Sequence, residues 1–223
     1  MSSSVAGATR VYFTPYGPPS CPIYNGTAFV QTVFAEVFQD TTDTTKSPSA
    51  VVANSNYDLF GWLDGSTFRV TRGPAWTSSS ARGTGAGTTD LVWVSGVPLN
   101  ANAITNGPGS QRGTYLGTIR SNASSTIDYI FGGAASLGLA GVFNVWNCYN
   151  RTPVGCRVID VSATYNYSSA TIRQCHGSSS MQVSFVVGLA GDLLNASAQL
   201  SLFTTAVAFS FCKIGVQLDV LTS

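Results

Sequence analysis

The chain has 223 residues and a formal charge of +1, with only 9% charged residues and 11% aromatics. That length buries a sizeable core without help from a metal or disulfide. So few and so scattered basic residues exclude a phosphate-binding surface, and no nucleic-acid partner is expected. The opening "MSSSVAGATR" lacks the apolar core of a signal peptide, so residues 1–10 read as a flexible N-terminal arm and export by that route is not expected. No run is long and apolar enough to read as a membrane span, so no membrane partner is expected either.

After the arm, "PIYNGTAFVQTVF" sets Asn25-Gly26 between apolar runs, and "DLFGWLDGSTFRV" does the same with Asp64-Gly65. Both dipeptides accept the positive φ angles of a type I′ turn, which predicts two β-hairpins. Between them "QDTTDTTKSP" is a polar loop, and "TSSSARGTGAGTTD" (Thr77 to Asp90) is another, marking a sub-boundary near 80–90. Further strands are predicted in "LVWVSGV", "GTYLGTIRS", "TIDYIFG", "ATYNYSSATIRQC", "MQVSFVVGL" and "AVAFSFCKIGVQLDV". At most one short helix is expected, within Gly188 to Phe203. The pattern predicts an all-β, antiparallel sandwich or jelly roll, with a single domain over residues 11–223.

Five cysteines occur, and "FNVWNCYNRTPVGCRV" holds two of them. Placing Cys148 opposite Cys156 in a hairpin sets Trp146 against Val158, Val145 against Ile159 and Phe143 against Val161, so that apolar residues share faces. Directly opposed residues at a non-hydrogen-bonded position are close enough for a disulfide, worth about 2.6 kcal/mol in the chain-entropy model. The alternative is a set of small buried hydrophobes in a reduced protein.

No catalytic constellation stands out. The single histidine, His176, has Cys175 beside it in sequence, but adjacent strand residues point to opposite faces. No Cys-x-x-Cys or His-x-x-x-His spacing suggests zinc, so no metal and no cofactor is expected. A glycosidase needs two carboxylates in one cleft, and the chain offers one glutamate, Glu36, and scattered aspartates, of which Asp58, Asp64, Asp128 and Asp160 lie in or beside predicted strands. "RGTGAGTT" lacks the order of a phosphate-binding loop. Among the aromatics, Trp76, Tyr115 and Trp146 are the candidate ligand or interface residues. Trp76 is the one expected to be most exposed.

Taken together, "PIYNGTAFVQTVF", "NSNYDLFGWLDGSTFRVTRGPAWTSSSARGTGAGTTDL", "AITNGPGSQRGTYLGTIRSN" and "VWNCYNRTPVGCRV" resemble a family of virion structural proteins of tailed bacteriophages and prophages. Tyr115 to Arg120 and Trp146 to Arg151 are the most specific parts. The resemblance implies a non-enzymatic fibre, spike or capsid decoration module on the particle exterior. It transfers no catalytic residues, and the cysteines of the hairpin depart from its usual pattern. A homo-oligomer, taken as a trimer, and other virion proteins are the expected partners, with a host surface glycan or receptor as a further one. The competing reading is a polysaccharide-degrading or lectin-like tail protein.

Overall fold

The computed structural model describes residues 3–17, 19–133, 140–160 and 181–199. Its described residues form fourteen β-strands and no helix, with every strand pair antiparallel except one. The all-β, sandwich-type expectation holds.

The centre is a six-stranded sheet built on two long strands, β6 (Asn56–Asp64) and β10 (Thr114–Arg120). β7 (Thr67–Ala75) flanks β6, and β9 (Val97–Asn100) with β8 (Leu91–Val94) extends beyond β10, whose other half pairs with β13 (Val145–Asn147). A second sheet has the order β1 (Val5–Ala8), β11 (Ile127–Ile130), β12 (Val142–Phe143), β14 (Ser184–Phe185), the last pair being parallel. Two ribbons complete the fold: β2 (Arg10–Phe13) with β5 (Val37–Asp40), and β3 (Ser20–Tyr24) with β4 (Phe29–Val33).

Residues 56–61 of β6 are all buried, so both faces of the central sheet are covered. Side chains alternate along a strand, and the two faces have therefore been given different chemistry. Tyr57 and Leu59 of β6 join Phe68 and Val70 of β7 and Leu116 and Ile119 of β10 in the main apolar core, which the ribbons close with Cys21, Ile23 and Phe34. Phe13, Phe34 and Phe68 stack there, with ring centroids 4.5 Å apart for the last two. The opposite face carries Asp58 and Phe60, with Tyr115 and Thr118 beside them, and lies under loops.

Both predicted hairpins form, but neither has the predicted turn. Tyr24 pairs with Phe29, so the first loop has four residues, and the Asn25 side chain accepts hydrogen bonds from the backbone N–H of Thr27 and Ala28. Asp64 pairs with Thr67, which makes Gly65 and Ser66 the central residues. Only Gly65 has positive φ (62°), the pattern of a type II′ turn. The type I′ pattern occurs instead at Ser95 (φ 47°) and Gly96 (φ 81°), which join β8 to β9 inside "LVWVSGV".

Three further expectations are corrected. Residues of the expected N-terminal arm are part of the fold: Val5 pairs with Tyr129, and the Gly7 N–H donates to Asp128 at 2.8 Å. The 77–90 segment, read as a surface loop, is bonded into the central sheet through Arg82 and Thr89. Residues 188–199 of the stretch allowed for a helix are turn and irregular chain; residues 200–203 of it, like 161–180 and the C-terminal strand, lie outside the described residues.

The cysteine hairpin does not form either. β12 pairs with β11 and β13 with β10, while residues 151–160 have no strand, so Cys148 and Cys156 are free thiols. The reason lies at Asn144. Its N–H donates to the Asp128 carbonyl in one sheet and its carbonyl accepts from the Arg120 N–H in the other, which hands the chain from sheet to sheet between Phe143 and Val145. The strand that the hairpin would need is thereby divided between two competing partners.

Candidate functional site

Asp58 is fully buried in the middle of β6, an expensive place for a carboxylate unless it is paired and hydrogen-bonded. Four donors meet it. Arg82 Nε reaches Oδ2 at 2.6 Å and its Nη2 reaches Oδ1 at 3.3 Å; Thr118 Oγ1 donates to Oδ1 at 2.6 Å, and Thr89 Oγ1 donates to Oδ2. An ionised carboxylate has about four lone-pair positions, so its accepting capacity is filled.

The elements dictate these positions. Asp58 and Thr118 are cross-strand partners in the β6–β10 register, which puts their side chains side by side on one face. Tyr115 reaches the same face because the register shifts between Tyr115 and Gly117. Arg82 and Thr89 come from the glycine-rich loop, one near each end of "RGTGAGTT".

The polarity of the network is then fixed. Thr118 spends its proton on Asp58, so its oxygen accepts from the Tyr115 hydroxyl at 2.6 Å, and that hydroxyl in turn accepts from Arg82 Nη2 at 3.4 Å. Burial pushes the Asp58 carboxyl up from the ordinary carboxylate range, opposed by the charge of Arg82 and its hydrogen bonds and by both threonines. Burial also raises the Tyr115 hydroxyl, and the adjacent Asp58 charge adds to it.

The three aromatics singled out from the sequence converge here. The Arg82 guanidinium lies 4.3 Å from the Trp76 ring centroid and 5.5 Å from that of Tyr115, and Tyr115 stacks on Trp146 at 6.1 Å. Tyr115 is fully buried and Trp76 and Trp146 are half-buried, so the cluster is a packed polar core and not an open aromatic platform. Trp146 donates its indole N–H to Asp192, which also pairs with Arg151 at 3.0 Å, and Arg151 lies over the Trp146 ring at 4.9 Å. The tryptophan that does stand exposed is Trp93, at 58%.

The remaining sequence candidates lie elsewhere. Asp128 belongs to the second sheet, where it accepts from the Gly7 N–H and the Asn122 side-chain amide. Asp64 faces Arg69 at 3.4 Å in an exposed pair, and Asp160 is half-buried in irregular chain. His176, Cys175 and Cys212 are outside the described residues, among which no group of three or more His, Cys, Asp or Glu side chains is placed to hold a metal.

A second buried charge was not foreseen. Arg72 of β7 is fully buried and, among the described residues, forms no ion pair; its guanidinium donates to the carbonyls of Asp40 (2.8 Å), Asp43 (3.1 Å) and Ser49. It serves the 40–51 loop as a bound cation would, satisfying three carbonyls at once. Burial lowers its pKa. The signal for both sites was available: in a chain with so few charges, Asp58 lies between Tyr57 and Leu59, and Arg72 falls where the alternation set by Phe68 and Val70 calls for an apolar residue, so each needs a partner.

Comparisons with protein-family models, with curated proteins and with solved structures give no match.

Proposed function

We propose that this chain is an external structural module of a tailed-bacteriophage virion, of fibre, spike or decoration type, that acts by self-association and attachment. The observation that carries the reading is how the fold distributes its groups. Its central charges are consumed internally by Asp58–Arg82 and by the Arg72 cage, while the two ribbons present apolar side chains outward. Val33 is 73% exposed and Tyr12, Val30 and Phe38 are about half exposed on these strands, with Tyr16, 85% exposed, in the connection between β2 and β3. Exposed apolar side chains on adjoining two-stranded ribbons supply an interaction surface. A second copy of the chain is the occupant this reading assigns to it, and closed symmetry with a trimer is the form expected. The resemblance of the Tyr115–Arg120 and Trp146–Arg151 segments to virion proteins points the same way.

Native mass spectrometry of the full chain, with immunogold labelling of particles from the producing host, tests the proposal. A homo-oligomer that Val33→Asp and Phe38→Asp dissociate, together with label on the particle exterior, is the expected outcome. A monomer at all concentrations and unlabelled particles would refute it. A second reading, a glycan-binding tail module, draws on Trp93; quenching of tryptophan fluorescence by host surface polysaccharide, abolished by Trp93→Ala, would favour it.

A further inference from the structure

Residues 184–192 cross the polar core from outside. Their attachment is narrow compared with the strands beneath: a two-residue parallel pairing of β14 with β12, made by the N–H groups of Ser184 and Val186 donating to the carbonyls of Gly141 and Phe143 at 2.9 Å. Beyond it, among the described residues, hydrogen bonds hold the segment at two points. The Gly188 carbonyl accepts from Arg82 Nη2, and Asp192 accepts from Trp146 and Arg151. Val186 is buried and Leu189 packs on the Phe60–Tyr115 cluster, whereas Val187 and Leu194 face outward.

The contact at Gly188 is close enough to exclude any side chain. A Cβ there would lie 2.5 Å from Thr118 Oγ1 and from Trp146 Cε3 and closer still to the Tyr115 hydroxyl. Thr118 is held by its bond to Asp58, the Tyr115 hydroxyl by Thr118 and Arg82, and the Trp146 ring by its stacking on Tyr115 and its bond to Asp192, so none of the three can yield separately. Docking therefore requires a bare backbone at this one position.

We propose that residues 184–192 are a strap that opens as one unit while the central sheet stays folded, uncovering one N–H of Arg82 and the Tyr115 and Trp146 rings. The sheet does not depend on the strap for its own ladder, because among the described residues β6, β7 and β10 pair with one another and with β9 and β13, not with β14. Local openings of this kind belong to segments with few backbone bonds and few apolar contacts.

Hydrogen-exchange mass spectrometry of the full chain tests this. In the wild type, amides of residues 185–192 should exchange faster than those of β6 and β10. G188A should speed strap exchange about ten- to a hundredfold, the change expected for losing a hydrogen bond to a charged group, with β6 and β10 unchanged. D192N, which releases the other end without steric insertion, should give the same pattern with a smaller rise. Strap and sheet accelerating together, in either variant, would show that the segment is part of the global core and overturn the proposal. So would a G188A strap that exchanges like wild type. If G188A does not fold, D192N decides by the same comparison: a faster strap over an unchanged sheet supports the proposal, and any other pattern overturns it.

Discussion

Removing Arg82 tests the polar core most directly. Arg82→Met keeps most of the aliphatic volume over Trp76 and Tyr115 but leaves Asp58, with no exposed surface, facing only two hydroxyl donors. Losing a charged hydrogen bond alone costs about 1.5–3 kcal/mol, whereas leaving a buried carboxylate without its cation costs about 3–5 kcal/mol. The second effect dominates because Asp58 cannot turn to water from the middle of β6. The exposed Arg69–Asp64 pair supplies the control: both side chains are more than a third exposed, and Arg69→Met should cost no more than about 1 kcal/mol. Urea unfolding followed by tryptophan fluorescence measures both, and the Asp58→Asn, Arg82→Met double variant closes a thermodynamic cycle. Its loss should be well below the sum of the single losses. The pH dependence has a definite sign. Without Arg82 the folded-state pKa of Asp58 rises further above its unfolded value, so the variant loses stability as pH rises from the unfolded value through the folded one. The deficit against wild type should therefore shrink as pH is lowered toward the ordinary aspartate range. An Arg82→Met loss under about 1 kcal/mol, or one that grows on acidification, would refute the reasoning.

Arg72 gives a different test, because its partners are carbonyls. Arg72→Lys should recover little of the roughly 3 kcal/mol or more lost in Arg72→Met by leaving three carbonyls without their donor, since a compact ammonium cannot span what a planar fork holds, and thermal unfolding of the two variants checks this. Alkylation of the native protein followed by peptide mass analysis should label Cys148 and Cys156 and spare Cys21, which is buried with its thiol pushed up to about 12; a Cys148–Cys156 bond that blocks labelling until reduction would contradict the free thiols. Gly65→Ala should destabilise by about 1 kcal/mol through its positive φ, and Ser66→Gly should be nearly neutral, as a type II′ turn requires; equal losses in urea unfolding would reject that turn.

The strands that were legible share one property: their alternation and their turns are local. β3–β4 and β6–β7 could be read because Asn25-Gly26 and Asp64-Gly65 lie between apolar runs, even though pairing between neighbouring strands shifted each turn by a residue or more. The hairpin through Cys148 and Cys156 had equally good local pairing and failed, because β10 and β11 offered Val145 and Phe143 longer partners in two different sheets. Local pattern cannot register such competition. The aromatics Trp76, Tyr115 and Trp146 were singled out for exposure or interface use, and what unites them is Arg82, which lies six residues beyond Trp76 in a loop read as a plain connection. Only the folded register of β6 against β10 brings that loop over Asp58.

That register is also where the buried charges act. A slip of β6 by one residue would move Asp58 to the face occupied by Phe34 and Phe68, and would bring Tyr57 or Leu59 under Arg82. An apolar strand buried on both faces has little else to distinguish its two sides, since Tyr57, Leu59 and Phe60 would be accepted on either. Asp58, Thr118 and Arg82 favour the observed alignment of β6 and β10, since a slip by one residue leaves the carboxylate bare among aromatic rings and a slip by two parts it from Thr118. Ion pairs in such places add little net stability compared with apolar residues of the same volume. The penalty for misalignment is what they supply, and in a chain so poor in charge it falls on the two central strands from which the rest of the sheet is built.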